Sequence, residues 1–356
     1  MKISFVADQM RSGGAERVIA NLSSEFVSLG HIVSIIMVNE LEGHSLYALD
    51  DKIVLIPVKK EDRKYSAAGK ISLLRKIIKE TNPDILISFQ NHIHVFTHFA
   101  ALGLNAMHIV SERSDPKQYP KSRVTRLLRS LTFKRASGCV FQTKTAKAFF
   151  PERVQRKSVV IPNPVVLLCE PSKPPVREKR VVAVGRLVVS KNYDMLIRAF
   201  ALFSIEIPGY ELVICGEGEM RKHIESIADE LELADKVKLI GHVENPHEIV
   251  CGSSAFVLSS DFEGMPNALL EAMALCVPVI STDCLCGGGT AEIITDGENG
   301  LLVPVGDEKA MAKAIAAVIE NPEFSSKLSE NASVIRREFS KENIAEKGIS
   351  YFESYS

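Results

Sequence analysis

Met1-Lys2-Ile3-Ser4-Phe5-Val6-Ala7 is a short apolar run with the length and composition of a buried β-strand. The loop Met10-Arg11-Ser12-Gly13-Gly14-Ala15-Glu16-Arg17 follows, and an amphipathic helical pattern then extends over Ala15–Leu29. A second apolar run covers residues 32–38. Strand, helix and strand in this order predict a βαβ unit, because a helical crossover is the usual connection between parallel strands.

The same alternation continues along the chain. Further strands are predicted at residues 53–57, 84–88, 107–111, 138–142, 180–184, 210–215, 236–240, 254–258 and 277–281. Helical patterns lie between them, such as Ile71–Thr81, which ends at Asn82-Pro83. Repeated βα units in both halves predict an α/β fold with two Rossmann-like, doubly wound parallel sheets.

The length of the chain indicates more than one domain. Its 356 residues exceed the size at which a single hydrophobic core stops growing. Ile161-Pro162-Asn163-Pro164 predicts a stiff, extended joint, and the proline-rich segment Pro171–Pro175 follows it. We therefore expect domains at residues 1–165 and 166–338, and a C-terminal helix at 339–356 that returns to the first domain.

The net charge of −1 conceals opposite charges on the two halves. Residues 1–165 contain 25 Lys and Arg against 14 Asp and Glu, and residues 166–356 contain 18 against 30. The resulting net charges are +11 and −12. Such an asymmetry indicates an anionic partner for the first half.

The cysteines, the apolar runs and the N-terminal residues indicate the cellular compartment of the protein. The seven cysteines are odd in number and lack the spacing of zinc ligands, so we expect reduced thiols and no metal site. No apolar run approaches the length of a membrane span, and the N-terminus lacks a signal-peptide pattern. These features predict a cytoplasmic protein.

Two cations follow a predicted strand of the second half. In Val184-Gly185-Arg186-Leu187-Val188-Val189-Ser190-Lys191-Asn192, Arg186 offers a fork of donors and Lys191 a mobile point charge. Both suit a diphosphate at the carboxyl end of the strand. The alternative is a solvated basic loop.

Two carboxylates bracket a helix start in Ser259-Ser260-Asp261-Phe262-Glu263-Gly264-Met265-Pro266-Asn267-Ala268-Leu269-Leu270-Glu271. Pro266 suits a first helical residue, and the free amides of a helix start favour a phosphate. In a mostly helical segment, eight residues rise roughly 12 Å, about the distance from a sugar across a diphosphate to a ribose. The alternative is a surface helix with two solvated acids.

Glycines also stand at other predicted strand ends. Gly13-Gly14 follows the first strand, Gly216-Glu217-Gly218 follows a later one, and Gly241-His242 follows another. The carboxyl ends of strands are where open α/β sheets bind ligands, although each of these segments alone is compatible with a plain turn. The G-x-G-x-x-G pattern is absent, which argues against a dinucleotide-dependent dehydrogenase.

Taken together, these motifs resemble those of retaining glycosyltransferases of family 4, which have the GT-B fold. The resemblance spans essentially the whole chain, and the motifs stand in the expected order. They are Gly13-Gly14-Ala15-Glu16, Gly185-Arg186-Leu187 with Lys191-Asn192, Gly216-x-Gly218-x-x-Arg221, Glu263-Gly-x-Pro-x-x-x-x-Glu271 and Asp296-Gly297-x-Asn299-Gly300. The resemblance implies a deep cleft between two domains.

The resemblance also implies roles at the donor. Arg186 and Lys191 would stabilise the diphosphate leaving group, Glu263 would face the transferred sugar, and Glu271 would bind the ribose hydroxyls. The expected chemistry is retention at the anomeric carbon, with the departing phosphate assisting and with no metal or cofactor. The remaining donor-binding residues would be Gly13, Gly14, Gly216, Glu217, His242, Gly264, Met265, Pro266, Asn267 and Ala268.

Two residues are candidates for contacts on the acceptor side. In Ser111-Glu112-Arg113-Ser114, Arg113 occupies the position of a histidine found in many members of the family, and it would contact the sugar or a phosphate. A general-base role does not suit a permanently charged arginine. His92 follows the strand Ile85–Phe89 and is a candidate acceptor contact, with plain packing as the alternative.

A basic segment over residues 116–135 has no acidic residue and carries apolar residues at roughly helical spacing. Such a pattern indicates an amphipathic helix on an anionic membrane, with a solvated charged face as the alternative. Nucleic acid is disfavoured because the segment has few aromatic residues for base stacking. The expected membrane-facing cations are Lys117, Lys121, Arg123, Arg126 and Arg129.

We therefore expect an enzyme on the inner face of the cytoplasmic membrane. It would move a sugar, by analogy an N-acetylhexosamine such as GalNAc, from a UDP-sugar to an undecaprenyl-diphosphate-type lipid-linked glycan. The alternatives are a hexosyltransferase (Gal, Glc or GlcNAc) of O-antigen, capsule or lipopolysaccharide core, a sugar-nucleotide epimerase or hydrolase, and a non-catalytic sugar- or lipid-binding scaffold.

Overall fold

The computed structural model describes residues 1–11, 13–59, 64–168, 177–284 and 289–355. Within them the chain divides into two compact units, Met1–Pro164 with Lys341–Ser356, and Val165–Ser340. Each unit contains one parallel sheet with helices between its strands. The prediction of two doubly wound α/β sheets is confirmed. The proline-rich segment Pro171–Pro175 lies outside the described residues.

In its described residues, the first unit has a sheet of seven parallel strands in the order β3-β2-β1-β4-β5-β6-β7. The strands are β1 (Lys2–Ala7), β2 (Ile32–Met37), β3 (Val54–Pro57), β4 (Ile85–Phe89), β5 (Met107–Glu112), β6 (Gly138–Phe141) and β7 (Ser158–Val160). The strand order reverses between β1 and β4. Ligands of open α/β sheets bind outside the carboxyl ends of the strands at such a switch point.

Helices connect these strands. They are α1 (Gly14–Ser28), α2 (Ala67–Thr81), α3 (Asn91–Ala101), α4 (Arg123–Arg135), α5 (Lys144–Ala148) and α6 (Glu152–Gln155). In α1 the residues Val18, Ile19, Leu22 and Phe26 are buried at helical spacing, so one apolar stripe packs on the sheet. Ser122 caps the start of α4, where its side chain accepts a hydrogen bond from the Thr125 amide.

The second unit repeats this plan, and its described residues form a six-stranded parallel sheet in the order β10-β9-β8-β11-β12-β13. The strands are β8 (Glu178–Val184), β9 (Glu211–Cys215), β10 (Val237–Gly241), β11 (Ser253–Leu258), β12 (Val279–Thr282) and β13 (Leu301–Val303). Their order reverses between β8 and β11. This switch point is the expected ligand position of the second unit.

The helices of the second unit cover both faces of its sheet, and a short 3₁₀ turn, Val189–Lys191, precedes the first of them. The helices are α7 (Tyr193–Glu206), α8 (Arg221–Glu230), α9 (His247–Gly252), α10 (Asn267–Ala274), α11 (Glu308–Glu320), α12 (Pro322–Ala332) and α13 (Ile335–Glu338).

The last helix, α14 (Lys341–Glu353), belongs to the first unit. The Phe352 ring meets the Phe26 ring of α1 edge to face, with centroids 6.1 Å apart. Lys341 Nζ lies 3.0 Å from Glu25 Oε2. The Tyr351 hydroxyl accepts a hydrogen bond from the Cys139 amide at 2.9 Å and donates one to the Lys157 carbonyl at 2.7 Å. The helix is therefore anchored to both α1 and the edge of the sheet.

The predicted strands agree with the structure to within about two residues at each end. The short edge strands β7 and β13 are absent from the strands predicted by apolar pattern, because three residues are too few for an alternating pattern to be recognised. Cys139, Cys215, Cys251, Cys276 and Cys284 are free thiols.

Across the described ranges, no helix is both long enough and apolar enough to cross a membrane.

The anchoring of α14 yields a first prediction. Tyr351→Phe should lower the free energy of unfolding by about 1 kcal/mol, because it removes the hydroxyl that joins Cys139 to Lys157. Urea denaturation followed by circular dichroism measures this change. Tyr355→Phe is the control, since its more exposed hydroxyl makes a longer bond of 3.0 Å to Lys157 O. Equal stability of the two variants would contradict the prediction.

Candidate functional site

Two loops meet at the switch point of the second sheet. One follows β8 and contains residues 185–192, and the other follows β11 and contains residues 259–266. The Asp261 amide donates to the Ser190 carbonyl at 2.9 Å, and Asn192 Nδ2 donates to Asp261 Oδ1 at 2.7 Å. Ser259 Oγ donates to the Lys191 carbonyl at 2.8 Å. These bonds hold the two loops together as one surface.

The predicted residues Lys191 and Glu263 are in direct contact on this surface. Lys191 Nζ donates to Glu263 Oε1, and Ser260 Oγ donates to the same oxygen at 2.7 Å. Only 19% of the Lys191 side chain and 16% of the Glu263 side chain are exposed. The contact therefore lies in a partly desolvated position, where electrostatic interactions are stronger than in water.

Arg186 lies on the rim of the same surface. Its residue is exposed, and its side chain forms no hydrogen bond or ion pair with the described residues. A guanidinium in this position keeps its fork of N–H donors available for an anion. The structure therefore places an exposed cation, Arg186, and an ion-paired cation, Lys191, on the same loop.

The predicted start of the following helix needs a correction. Helix α10 begins at Asn267, and Pro266 is its N-cap residue rather than its first helical residue. Residues 263–266 are not helical, so the estimated rise of roughly 12 Å between the two carboxylates does not apply. No side chain caps α10 with a hydrogen bond. Its start still carries the positive end of a short helix dipole.

Glu271 lies within α10 and is buried. Its Oε2 atom is 3.1 Å from Nε2 of His247, which belongs to α9 and is also buried. His247 Nδ1 in turn accepts a hydrogen bond from the Leu168 amide at 3.0 Å. Glu271 is therefore held by a side chain that the sequence motifs did not predict.

Close packing explains the glycines of this region. A Cβ atom on Gly216 would lie 1.9 Å from the Gly185 carbonyl oxygen, and one on Gly218 would lie 2.2 Å from that of Leu187. A Cβ atom on Gly289 would lie 2.0 Å from the Gly264 carbonyl oxygen. Glycine at these positions lets the loop after β9 approach the loop after β8, and the segment after β12 approach the loop after β11.

The remaining predicted residues of this edge lie farther out. Glu217 is exposed and pairs with Arg221, whose Nη1 atom lies 2.5 Å from Glu217 Oε1. His242 is exposed and follows β10. Strands β9 and β10 lie on the far side of β8 from β11. Both residues therefore belong to the same edge of the sheet, beyond the Lys191–Glu263 contact.

In the first unit, Gly13 and Gly14 lie at the carboxyl end of β1, beside its switch point. The Gly13 amide donates to the Tyr47 hydroxyl at 2.8 Å, and that hydroxyl donates to the Gly13 carbonyl at 2.7 Å. Glu16 Oε1 accepts a hydrogen bond from Gln90 Nε2 at 2.8 Å. The glycine loop is thus fixed between Tyr47 and the end of β4.

His92 lies in the first turn of α3 at the same edge. Its Nε2 atom is 3.3 Å from Asp8 Oδ1, and Asp8 directly follows β1. The hydrogen bond with His92 lowers the pKa of Asp8. His92 is half exposed, so its ring is accessible from solvent.

The Arg113 side chain makes its contacts within the first unit. Its Nε donates to Ser111 Oγ at 2.8 Å, its Nη1 donates to Asn163 Oδ1 at 2.7 Å, and its guanidinium lies over the Phe89 ring. Gln142 Nε2 also donates to Asn163 Oδ1 at 2.7 Å. Burial lowers the pKa of Arg113 to about 9, so the group stays charged at neutral pH. Arg113 and Gln142 together connect the ends of β4, β5 and β6 to Asn163 in the predicted joint.

The basic segment differs from its prediction in two ways. Helix α4 begins at Arg123, so Lys117 and Lys121 lie in the preceding loop. Arg129 is buried rather than membrane-facing, because its Nη1 atom donates to the carbonyls of Pro116 and Tyr119. Arg126 is exposed, but its Nε donates to the Pro120 carbonyl at 2.7 Å. These two arginines hold the loop that precedes their own helix.

An apolar stripe remains exposed on α4. Val124 is 67% exposed, Leu127 is 63% exposed and Leu131 is 39% exposed. Their spacing of three and four residues places them on one face of the helix. The exposed cations near this stripe are Lys117, Lys121, Arg123, Arg126, Lys134 and Arg135.

Tyr47, Asn163 and His247 hold the predicted residues in place, and sequence reasoning did not assign their side chains. Tyr47 is 34 residues from Gly13, and His247 is 24 residues from Glu271. No local spacing pattern relates residues so far apart. Asn163 was noted only for its two flanking prolines. For the part of the chain that is described, no group of three or more His, Cys, Asp or Glu side chains could hold a metal ion.

Two family models match most of the chain. The model described as Glycosyltransferase Family 4 matches residues 12–167, and the model described as Glycosyl transferases group 1 matches residues 170–334.

Two curated relatives extend over the full length. An alpha-1,4-N-acetyl-D-galactosaminyltransferase of Campylobacter jejuni is 30% identical over 98% of this chain and 97% of its own. Its name gives the acceptor as GalNAc-alpha-(1->4)-GalNAc-alpha-(1->3)-diNAcBac-PP-undecaprenol. An uncharacterized glycosyltransferase of Haemophilus influenzae is 27% identical over 97% of this chain and 98% of its own.

A solved structure shows the same fold. Anabaena HepE in complex with UDP aligns with a TM-score of 0.81 and 17% identity, over 99% of this chain and 100% of its own.

The packing of the glycines yields a second prediction. Gly218→Ala should lower the free energy of unfolding by about 1–3 kcal/mol, because the new methyl group would force the loop after β9 away from Leu187. The control is Gly252→Ala, whose Cβ would meet Glu178 Oε1 at an ordinary 3.5 Å. Urea denaturation of both variants measures the difference. The clash would be disproved if both variants unfolded at the same urea concentration.

Proposed function

The chain belongs to glycosyltransferase family 4 and has the GT-B fold, and from this premise we propose that it transfers a sugar from a UDP-linked donor to a lipid-diphosphate-linked glycan. The observation that carries the donor assignment is the contact of Lys191 with Glu263 at the switch point of the second sheet. A cation and a carboxylate side by side suit a ligand with both a phosphate and hydroxyl groups. HepE, which shares the fold, was solved with UDP.

The proposed role of Lys191 follows from its hydrogen-bonding capacity. Its ammonium group has three N–H donors, and Glu263 Oε1 accepts one of them. A diphosphate can accept another, so one cation would bridge the sugar-facing carboxylate and the leaving group. Arg186 on the rim would add a second positive charge, and the start of α10 would add its dipole. Charge stabilisation of this kind is usually the largest catalytic contribution.

Glu263 would receive the hydroxyl groups of the transferred sugar. Its carboxylate is fixed by both Lys191 and Ser260, so little reorganisation is needed when a sugar binds. In the proposed reaction, the acceptor oxygen forms a bond to the anomeric carbon while the bond to the diphosphate breaks. The acceptor proton passes to the departing phosphate. We propose that the configuration is retained and that no metal takes part.

The first unit would bind the acceptor. It carries the net charge of +11 over residues 1–165, which attracts an anionic partner. The exposed stripe Val124, Leu127 and Leu131 with its surrounding cations has the composition of a helix that lies on an anionic membrane. The acceptor named for the Campylobacter relative is itself a lipid-linked diphosphate. An undecaprenyl-diphosphate-type acceptor on the inner membrane face is therefore proposed.

We propose an N-acetylhexosamine such as GalNAc as the transferred sugar, because the full-length Campylobacter relative transfers this sugar according to its name. Hexoses are the alternative. Incubation with a panel of UDP-sugars and membrane extract, followed by mass spectrometry of the lipid-linked products, identifies donor and acceptor. Donor consumption without an acceptor would instead indicate an epimerase or hydrolase, and donor binding without turnover would indicate a scaffold.

The role of Glu263 yields a third prediction. Glu263→Ala should lower sugar transfer by about a thousandfold or more while leaving the fold intact, since it removes a group that contacts both Lys191 and the proposed sugar. Transfer is measured with radiolabelled UDP-sugar and folding by circular dichroism. Glu320→Gln, at an exposed end of α11, is the control. Turnover like that of the unmodified protein would refute the donor assignment.

The exposed stripe yields a fourth prediction. The double variant Val124→Ser and Leu127→Ser should bind vesicles of phosphatidylcholine and phosphatidylglycerol about tenfold more weakly, because it removes apolar area that would enter the membrane. Vesicle co-sedimentation measures the affinity. Ile205→Ser, at a 79% exposed position of the second unit, should leave binding unchanged. If the double variant bound vesicles as tightly as this control, the proposal that α4 contacts the membrane would be wrong.

A further inference from the structure

His247 joins two parts of the second unit that are distant in sequence. It is 2% exposed and lies at the start of α9, where its amide donates to Asn245 Oδ1 at 3.2 Å. On one side of its ring, Nδ1 accepts the Leu168 amide proton at 3.0 Å. On the other side, Nε2 lies 3.1 Å from Glu271 Oε2.

The two contacts determine which ring nitrogen carries the proton. A backbone amide can only donate, so Nδ1 must be the unprotonated nitrogen that accepts from Leu168. A neutral imidazole then carries its proton on Nε2. Nε2–H therefore donates to the Glu271 carboxylate. Neither contact can be reversed while the other persists.

This arrangement fixes the orientation of a buried carboxylate. The Glu271 side chain is 10% exposed, and burial of a charged group without partners is costly. A rigid, fully buried ring restricts the rotamers of Glu271 more strongly than a flexible or hydrated partner would. A hydrogen bond to a charged group is stronger than one between neutral groups, so it favours this one orientation of the carboxylate.

The other partner of His247 lies close to the boundary between the units. Leu168 comes three residues after Val165, where the second unit begins. The Val165 amide donates to the Phe339 carbonyl at 2.7 Å, so the first and last segments of this unit are paired. The imidazole ties Glu271 to the first of these segments.

We propose that His247 is a positioning residue that orients Glu271 toward the ribose hydroxyls of the donor, while the Leu168 amide determines which ring nitrogen carries the proton. This inference rests on the proposed function, in which Glu271 binds the ribose. His247 itself does not touch the donor. His247 affects donor binding only by positioning the Glu271 carboxylate, so its effect requires a ligand with ribose hydroxyls.

Two substitutions separate the two contacts. His247→Gln places an N–H donor near the position of Nε2, so it keeps the bond to Glu271 and loses the bond to Leu168. His247→Asn places an acceptor near the position of Nδ1, so it keeps only the bond to Leu168. Isothermal titration calorimetry of the full chain would use UDP and 2′,3′-dideoxy-UDP. We expect His247→Asn to bind UDP about tenfold more weakly, and His247→Gln to bind it nearly as tightly as the unmodified protein.

The dideoxy nucleotide distinguishes positioning from a general effect on folding. It lacks the hydroxyls that Glu271 would bind, so all three proteins should bind it with the same affinity. An equal loss of affinity for both nucleotides in His247→Asn, or no loss for UDP, would overturn the proposal. Glu271→Ala tests the underlying assignment separately. If that variant binds UDP normally, the proposed ribose site is wrong whatever His247 does.

A measurement on the unmodified protein avoids dependence on the folding of variants. Nitrogen-15 NMR of histidine-labelled protein reports the protonated ring nitrogen of each histidine. We expect His247 to be protonated at Nε2, with a resonance that shifts on addition of UDP and much less on addition of the dideoxy nucleotide. Protonation at Nδ1, or equal shifts with both nucleotides, would contradict the proposed role.

Discussion

The bonds that join the loop after β8 to the loop after β11 are the constraint on which the donor half of the site depends. Asn192 and Asp261 are 69 residues apart, and Lys191 and Glu263 are 72 residues apart. Parallel strands place them side by side, because the strand order reverses between β8 and β11 and both loops leave the sheet at its carboxyl edge. Once the loops are joined, the ammonium and carboxylate groups are in contact at the carboxyl edge of the sheet, where the donor is proposed to bind.

Charge has two distinct uses in the first unit. Arg129 and Arg113 donate hydrogen bonds to oxygen atoms of the same unit. Arg129 binds the loop before α4, and Arg113 binds Asn163 in the predicted joint. Cations such as Lys121 and Arg123 remain exposed beside an apolar stripe on α4. The net charge therefore overstates the number of cations available to a partner. Exposure, which only the folded chain defines, separates the two groups.

Three of the proposed ligand contacts rest on supporting side chains. Glu263 is held by Ser260 and Lys191, Glu271 by His247, and Gly13 by Tyr47. Fixed groups of this kind lower the reorganisation required when a ligand binds, which is how preorganised sites gain affinity and rate. Lys191, His247 and Tyr47 come from other loops and helices, whereas Ser260 shares the loop of Glu263. A substitution at a support can alter the site without touching the ligand.

The α/β class, the parallel sheets and most strand positions can be predicted from the sequence, because the apolar period and the glycine or proline breaks are local signals. The sequence also predicts Arg186, Lys191, Glu263 and Glu271 as donor-binding residues from the order and spacing of their motifs, and these roles stay proposals. It placed the start of α10 one residue early and treated Arg129 as exposed. Which distant side chains hold these residues in place becomes visible in the folded chain alone. Contacts such as His247 with Glu271 arise when separate βα units pack together, and no periodicity along the chain records that packing.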